Sequence, residues 1–281
     1  MPLEKLVLQY SRPLFPIPAG FHKRGKTEGE IRAILFDVYG TLFISKAGDI
    51  SMARREAEQN TIGIGSLLER FHIQKSAGDL PEEFFDEIRK EKEKLKKQGV
   101  DFPEIQIEKI WEKILNINND DIIKQFAAEY ELIVNPVYPM PHVRDVLAAC
   151  KENNIPMGII SNAQFYTPYL FYAFLNATLE ELGFVTDFVF FSYVSGHVKP
   201  SLYMFERAAE TLEKSGIPRC NTLYVGNDMI KDIHCANKVG FQTALFAGDK
   251  RSLRLGTEDT KYTEISPNLV ITDLLQLLDF V

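Results

Sequence analysis

Ile31-Arg32-Ala33-Ile34-Leu35-Phe36-Asp37-Val38-Tyr39-Gly40-Thr41 is a short apolar run that ends abruptly in a carboxylate and a turn. Six residues are too few for an isolated helix, and the run carries no helical period. It reads as a buried strand over Ile31–Phe36, with Gly40 and Thr41 as the turn that follows. A strand of this kind needs partners on both sides, and the downstream sequence supplies them. From about residue 135 the chain alternates helix and strand. Val143, Val146, Leu147 and Cys150 form one face of a helix, and 156–160 reads as a strand. Thr167 and Pro168 form an N-cap and first-turn pair opening the next helix. Strands are expected at 187–191, 222–225, 242–246 and 269–272, with helices at 201–215, 229–239 and 273–280, the second of these closed by Gly240. This alternation predicts an α/β fold, Rossmann-like, with a parallel sheet covered on both faces.

Residues 46–134 have another texture. Charge is dense and the period is helical: Leu80, Phe84, Ile88 and Leu95 fall on one face, and so do Ile107, Trp111 and Ile114. A further amphipathic stretch covers 120–131. The predicted organisation is therefore an N-terminal arm over 1–30, an α/β core from 31–45 and 135–281, and a helical insert over 46–134. The arm carries prolines and the basic residues Arg12, His22, Lys23, Arg24 and Lys26. These charges are few, so it is expected to wrap the surface or fray rather than bind a polyanion.

Composition narrows the function. The 281 residues carry a formal net charge of -7, which gives no footprint for a nucleic-acid binder. The three cysteines, Cys150, Cys220 and Cys235, form no CxxC pair. That points to a reducing compartment rather than a disulfide framework or zinc site. No apolar run approaches the roughly 20 residues that span a bilayer, and the N-terminus has no secretory apolar region. The expectation is a cytoplasmic monomer or homodimer acting on a small molecule, with no nucleic-acid or membrane partner.

Catalytic groups in open parallel sheets gather beyond the carboxyl ends of strands. Four predicted strand ends carry polar residues: Asp37 to Thr41, Ser161-Asn162, the segment reaching Lys199, and Asn227-Asp228 with Asp232. A carboxylate, a hydroxyl, an ammonium and further acids can thus meet in one pocket. The carboxylate can attack an electrophilic centre and form an ester intermediate. The ammonium and hydroxyl can neutralise and bind the other oxygens, and paired carboxylates can hold Mg²⁺ together with water and a substrate phosphate. His197 and the cysteines read as structural or incidental.

The strings FDVYGTLF at 36–43, IISN at 159–162, KP at 199–200 and GNDMIKD at 226–232 resemble, in order, the four motifs of the haloacid dehalogenase (HAD) superfamily. The resemblance covers roughly residues 31–281. It implies a HAD hydrolase core with an inserted helical cap of the C1 type, since 124 positions separate Asp37 from Ser161 but 38 separate Ser161 from Lys199. It implies Asp37 as nucleophile, Ser161 and Lys199 as the other catalytic groups, and Tyr39, Thr41 and Asn162 as substrate-binding residues. It also implies Mg²⁺ held among Asp37, Tyr39, Asn227, Asp228 and Asp232.

Two motifs depart from the phosphatase pattern. Phosphatases of this family usually carry a second aspartate two residues after the nucleophile, and here that residue is Tyr39. A phenol titrates near 10 and is a poor general base at neutral pH. The L-2-haloacid dehalogenases of the family have tyrosine there, and their halide leaving group needs no proton. The fourth motif pulls the other way. It reads Asn227-Asp228, so either Asn227 replaces the usual first acid or Asp228 and Asp232 form the acidic pair. The dehalogenase pattern also calls for a cap arginine, for which Arg54 and Arg55 are candidates by position. The expected function is hydrolysis of a small phosphate ester. The alternatives are a 2-haloacid dehalogenase and a catalytically weak binding protein.

Overall fold

The computed structural model describes residues 2–47, 50–256 and 265–280. Nine strands are seen among them: β1 Arg24–Gly25, β2 Ala33–Phe36, β3 Phe43–Ser45, β4 Val137–Pro139, β5 Met157–Ser161, β6 Phe184–Phe191, β7 Thr222–Gly226, β8 Gln242–Phe246 and β9 Leu269–Ile271. Seven form one sheet in the order β1-β9-β8-β7-β2-β5-β6, parallel except for β1. All four residues of β2 are buried. Ile34 and Phe36 join the core on one face of the sheet, and Ala33 and Leu35 join the core on the other. That two-residue alternation is why an uninterrupted apolar run serves a doubly covered strand. From β2 the chain order runs outward through β5 and β6 on one side, then restarts beside β2 with β7. Such a switch point is where an open parallel sheet leaves a crevice beyond its strand ends.

The segment between β3 and β4 is helical: α2 Ile50–Gln59, α3 Thr61–Arg70, α4 Leu80–Lys97, α5 Ile107–Leu115 and α6 Asp120–Val134. These helices close over an apolar core of their own, centred on Trp111, Phe84, Phe126 and Tyr130. In α4 the first turn holds Glu82 and Glu83 and the last holds Lys94, Lys96 and Lys97, each sign matching the end of the helix dipole it faces. Trp111 is fully buried, stacked on Phe84 at 4.2 Å and packed edge-on to Phe126 at 4.9 Å. Trp111→Ala is expected to destabilise the protein by about 3–5 kcal/mol through the cavity it leaves. Urea unfolding followed by circular dichroism would measure this, and a loss below about 1 kcal/mol would mean that the helices hold together by other contacts.

The two crossings into this helical body lie side by side. β3 and β4 pair antiparallel, with Ile44 opposite Tyr138. The side-chain oxygen of Asn135, Oδ1, accepts from Ser45 Oγ and from the Ala47 amide, both at 2.9 Å. Strands of three residues carry too little pattern to be read from sequence.

Several sequence expectations need correction. The N-terminal arm neither frays nor merely wraps: Leu3–Tyr10 forms a helix, α1, whose Leu6 and Val7 are buried in the main core, and β1 extends the sheet through β9. The Tyr10 hydroxyl donates to Glu129 of α6 at 2.7 Å. β6 begins three residues before the expected 187, since Val185, Thr186 and Asp187 are exposed and mask its start. Thr167 lies in the first turn of the helix Thr167–Leu175, and its cap position is Tyr166. The expected helix at 229–239 starts as a π-helical turn, Met229–His234, before Cys235–Lys238. The last helix is a 3₁₀ turn, Leu274–Asp279, in which Leu274 and Leu277 are buried three apart, the repeat that three residues per turn requires. Among the described residues no helix is long and apolar enough to cross a membrane.

Candidate active site

β2 delivers Asp37 to the switch point. Its amide donates to Val225 O at 2.9 Å, so the nucleophile candidate is held by the neighbouring strand β7. The chain then folds back sharply, with the Gly40 amide on Phe43 O at 2.7 Å. Gly40 has φ +84°, and a Cβ there would sit 2.6 Å from Ser252 Cβ and 2.7 Å from Asn227 Nδ2. Both the left-handed backbone and the crowding demand glycine.

Lys199, 3% exposed, reaches in from the loop after β6. Its ammonium donates to Asp37 Oδ1 at 2.8 Å and Asp232 Oδ1 at 2.6 Å, with the Tyr224 hydroxyl at 3.1 Å. Asp232 is closed off by its surroundings. Its Oδ1 also takes Tyr224 at 3.1 Å, and its Oδ2 accepts from the Asn227 and Asp228 amides at 3.0 and 2.9 Å. Gly226 permits this approach, because a Cβ there would lie 2.4 Å from Asp232 Cγ. Burial lifts the Asp37 carboxyl to about 6 against the pull of Lys199. The two carboxylates together hold Lys199 firmly charged.

The other sequence-derived residues divide into those on the cavity and those behind it. Ser161 is fully buried at the end of β5, with its Oγ 3.5 Å from Asn162 O, and its hydroxyl favours the ionised form of the Asp37 carboxyl. Asn162 lines the cavity, but its amide clamps the Lys199 backbone, accepting from its N–H at 2.7 Å and donating to its carbonyl at 3.3 Å. Thr41 is fully buried and sits behind the wall, where its hydroxyl donates to Asn227 Oδ1 at 3.2 Å. Asn227 in turn donates to Ser252 O at 2.6 Å, so its side chain is engaged by protein on both ends. Asp228 caps the π-helical turn through Oδ1, accepting from the Ile230 and Lys231 amides at 2.8 Å each, and its Oδ2 lies 3.9 Å from Lys231 Nζ. Burial and the nearby Asp232 raise the pKa of Asp228. The Tyr39 hydroxyl bonds to Thr167 Oγ1 at 2.9 Å, and burial makes its proton harder still to remove. Arg54 and Arg55 do not line the cavity, and Arg54 pairs with Glu58 at 2.9 Å on the outside of α2. His197 stacks on Tyr203 at 4.2 Å, outside the cavity wall.

The cavity, about 550 Å³, is shared between the strand ends and the helical body. Asp37, Lys199, Asp228 and Arg254 line it from the sheet; Phe84, Ile88, Tyr130 and Glu131 line it from the helices. Glu104 and Glu131 were not foreseen. Both have carboxyl pKa values raised by burial. Glu131 sits on the helix that also presents Phe126, Tyr130 and Val134 to its core. An acid beside an apolar stripe was the available signal, but on a charge-rich helix it does not stand out.

A model described as haloacid dehalogenase-like hydrolase matches residues 31–240. The ribulose-1,5-bisphosphate 5-phosphatase of Halopiger xanaduensis is 28% identical over 144 residues, 50% of this chain and 56% of that protein. The match thus spans little more than half of the curated relative. Among solved structures, a 2-haloacid dehalogenase from Pseudomonas syringae pv. tomato DC3000 superposes with a TM-score of 0.53 at 18% identity, covering 89% of this chain and 97% of the other. An L-2-haloacid dehalogenase superposes with a TM-score of 0.52 at 20% identity, covering 90% and 99%. At such identities the likeness is one of fold.

Proposed function

The chain belongs to the haloacid dehalogenase-like hydrolases, and within that family we propose that it is a Mg²⁺-dependent hydrolase of small phosphate esters. Asp37 is the nucleophile, and the helices of residues 46–134 act as its cap. The observation that carries this reading is the charge balance at the strand ends. Asp37 and Asp232 share one buried ammonium, Lys199, and Asp228 has only the part-exposed Lys231 Nζ, at 3.9 Å, so among its buried groups the pocket floor is short of positive charge. A divalent cation supplies it, and a bare 2-haloacid, itself an anion, does not. The donor set fits a hard ion that takes oxygen ligands. The Asp37 carboxylate, the Tyr39 carbonyl and the Asp228 carboxylate would hold it, whereas Asp232 and Asn227 are engaged by protein. Among the described residues no three His, Cys, Asp or Glu side chains cluster tightly enough to form a metal cage. Mg²⁺ sites need none, since they keep waters and substrate oxygens. When bound, the ion would neutralise charge on the phosphoryl oxygens.

The protein's own groups then have distinct tasks. An Asp37 oxygen attacks phosphorus, the bond to the leaving oxygen breaks, and water later hydrolyses the aspartyl phosphate. Lys199 fixes the rotamer of Asp37, and Ser161, buried at the end of β5, favours its ionised form. Asn162 positions Lys199 through its backbone. Tyr39 stands where the family's phosphatases carry an acid–base group. Its hydroxyl is tied to Thr167 and keeps its proton, so esters with poor leaving groups react slowly.

Tyr39→Asp should raise alkyl-phosphate hydrolysis more than aryl-phosphate hydrolysis, by about tenfold or more in the ratio of the two. Steady-state rates with Mg²⁺ and with EDTA decide both points. Equal ratios, or EDTA-insensitive turnover, would sink the reading. Tyr39 itself favours a second reading, a dehalogenase whose leaving halide needs no proton. Turnover of 2-haloacids in EDTA, with phosphate esters inert, would establish it.

A further inference from the structure

We propose that Gln164 is a positioning residue through which the seating of the helical body on the core fixes the loop that carries Lys199. The inference rests on the role given above to Lys199 beside Asp37. Its grounds are a set of bonds between the core and the connection from α4 to α5. Pro103 and His197 form an antiparallel bridge. The Val198 amide donates to Phe102 O at 2.8 Å, and the Glu104 amide donates to Gly196 O at 2.9 Å. Residues 196–198, which lead directly into Lys199, are thus paired in strand fashion with backbone of the helical body. Side chains fasten both ends. Ser201 Oγ donates to the Asp101 carboxylate at 3.1 Å, and Ser192 Oγ donates to Glu104 Oε2 at 2.6 Å.

Phe102 shows that this contact is imposed on the chain. Its φ is +39°, a left-handed backbone that bulky side chains avoid, yet the residue is 47% exposed, so no deep burial compensates. Strained backbone persists where its surroundings over-determine it, and it clusters at functional sites. The carbonyl of this strained residue is the one that accepts from Val198.

Gln164 closes the contact from the stretch after β5. Its Nε2 donates to Ile105 O at 3.0 Å, and its Oε1 accepts from the Ile107 amide at 3.3 Å. Both ends of one side-chain amide therefore hold the helical body. Two residues earlier, both ends of the Asn162 amide hold the Lys199 backbone, at 2.7 and 3.3 Å. Between them the Ala163 amide donates at 2.8 Å to Ser192 Oγ, the hydroxyl that also meets Glu104. One short segment grips Lys199 with its first amide and the helical body with its second, and residues 196–198 join the two. Moving the helical body off the core pulls on 196–198 and so on the 2.8 Å bond between Lys199 and Asp37. Reacting groups tolerate little of this, since a shift of about 1 Å can cost about 10²-fold in rate.

The test is single-residue amide exchange by NMR on the full-length, metal-free protein. In Gln164→Ala the Val198 and Lys199 amides should exchange at least about fivefold faster. The Asp37 amide, bonded to Val225 O inside the sheet, should stay within about twofold. Lys199 is the decisive probe, because its acceptor, Asn162 Oδ1, is untouched by the substitution. Asp101→Ala, which loosens the contact from the helical side, should move the same two amides, and it serves if the Gln164 variant does not fold. Rates with Mg²⁺ on p-nitrophenyl phosphate and n-butyl phosphate give a second readout. In Gln164→Ala kcat should fall about tenfold or more with KM within about twofold, the mark of a loss at the reacting groups rather than in uniform binding. An unchanged Lys199 amide in both variants, or a raised KM with kcat intact, would reduce the contact to packing and overturn the proposal. The exchange measurement needs no turnover. If the native protein hydrolyses neither ester while the Lys199 amide responds, the phosphatase reading fails and the coupling stands. If it hydrolyses them and both variants match it in exchange and rate, the coupling fails and the phosphatase reading stands.

Discussion

Asp37→Asn is expected to cut turnover by at least about 10³-fold, some 4 kcal/mol of barrier, and to make the metal-free protein more stable at pH 8. The first effect follows because asparagine keeps the shape of the side chain but not its nucleophilic oxygen. The second follows from burial. Asp37 is 7% exposed, and its carboxyl is lifted from an ordinary 3.8 to about 6. A carboxyl that binds its proton more tightly when folded contributes stability below about pH 4, and loses it as pH rises through 6. Above that, the ionised Asp37 costs on the order of 3 kcal/mol. Asparagine stays neutral and avoids the loss. Urea unfolding in EDTA should show the variant ahead by about 1–3 kcal/mol at pH 8, with the advantage fading toward pH 4. A variant less stable than the native chain at pH 8 would mean that the Asp37–Lys199 pair is a net stabiliser, and residual turnover within tenfold of native would end the covalent mechanism.

Lys199→Met should be the most destabilising single change at the site, by about 3–5 kcal/mol at pH 8. The ammonium is 3% exposed and joins Asp37 and Asp232. Removing it leaves two carboxylates facing each other beside an apolar side chain. Lys199 is also what opposes burial at Asp37. Without it that carboxyl climbs further and takes up a proton at higher pH. The deficit should therefore be largest at pH 8 and shrink on acidification toward pH 5. The double variant Asp37→Asn/Lys199→Met should recover part of the loss, because one of the stranded charges is gone. Denaturation curves of the four proteins at both pH values give the coupling directly. A deficit that does not change with pH would show that lost packing, rather than lost charge compensation, dominates.

The candidate site was legible where it lies at strand ends. Asp37 and Ser161 close apolar runs, Lys199 and Asp232 come a few residues beyond theirs, and Lys199 joins Asp37 to Asp232 by direct hydrogen bonds. Roles within the site were less legible. Thr41 and Asn162 look alike as polar residues after strands, but one braces Asn227 from behind and the other clamps the Lys199 backbone. Asn227 and Asp228 are adjacent in sequence, and either could have been the outward acid. Their hydrogen bonds, set by Thr41, Ser252 and the π-helical turn, engage both ends of the Asn227 amide but only Oδ1 of Asp228, whose Oδ2 has Lys231 Nζ at 3.9 Å.

The sequence by itself determined the doubly covered sheet, the helical insert and the acid, hydroxyl and ammonium at strand ends, because periodicity and strand-end chemistry are local properties of the chain. Only the tertiary structure decided what the helices bring to the pocket. Tyr130 and Glu131 read as ordinary members of an amphipathic helix, and Arg54 and Arg55 read as plausible pocket residues. Which of them reach the cavity depends on how α2 and α6 pack around Trp111 and on how Asn135 pins the crossings. Those contacts join residues far apart in sequence, and no local pattern encodes which face of a helix will meet a strand end.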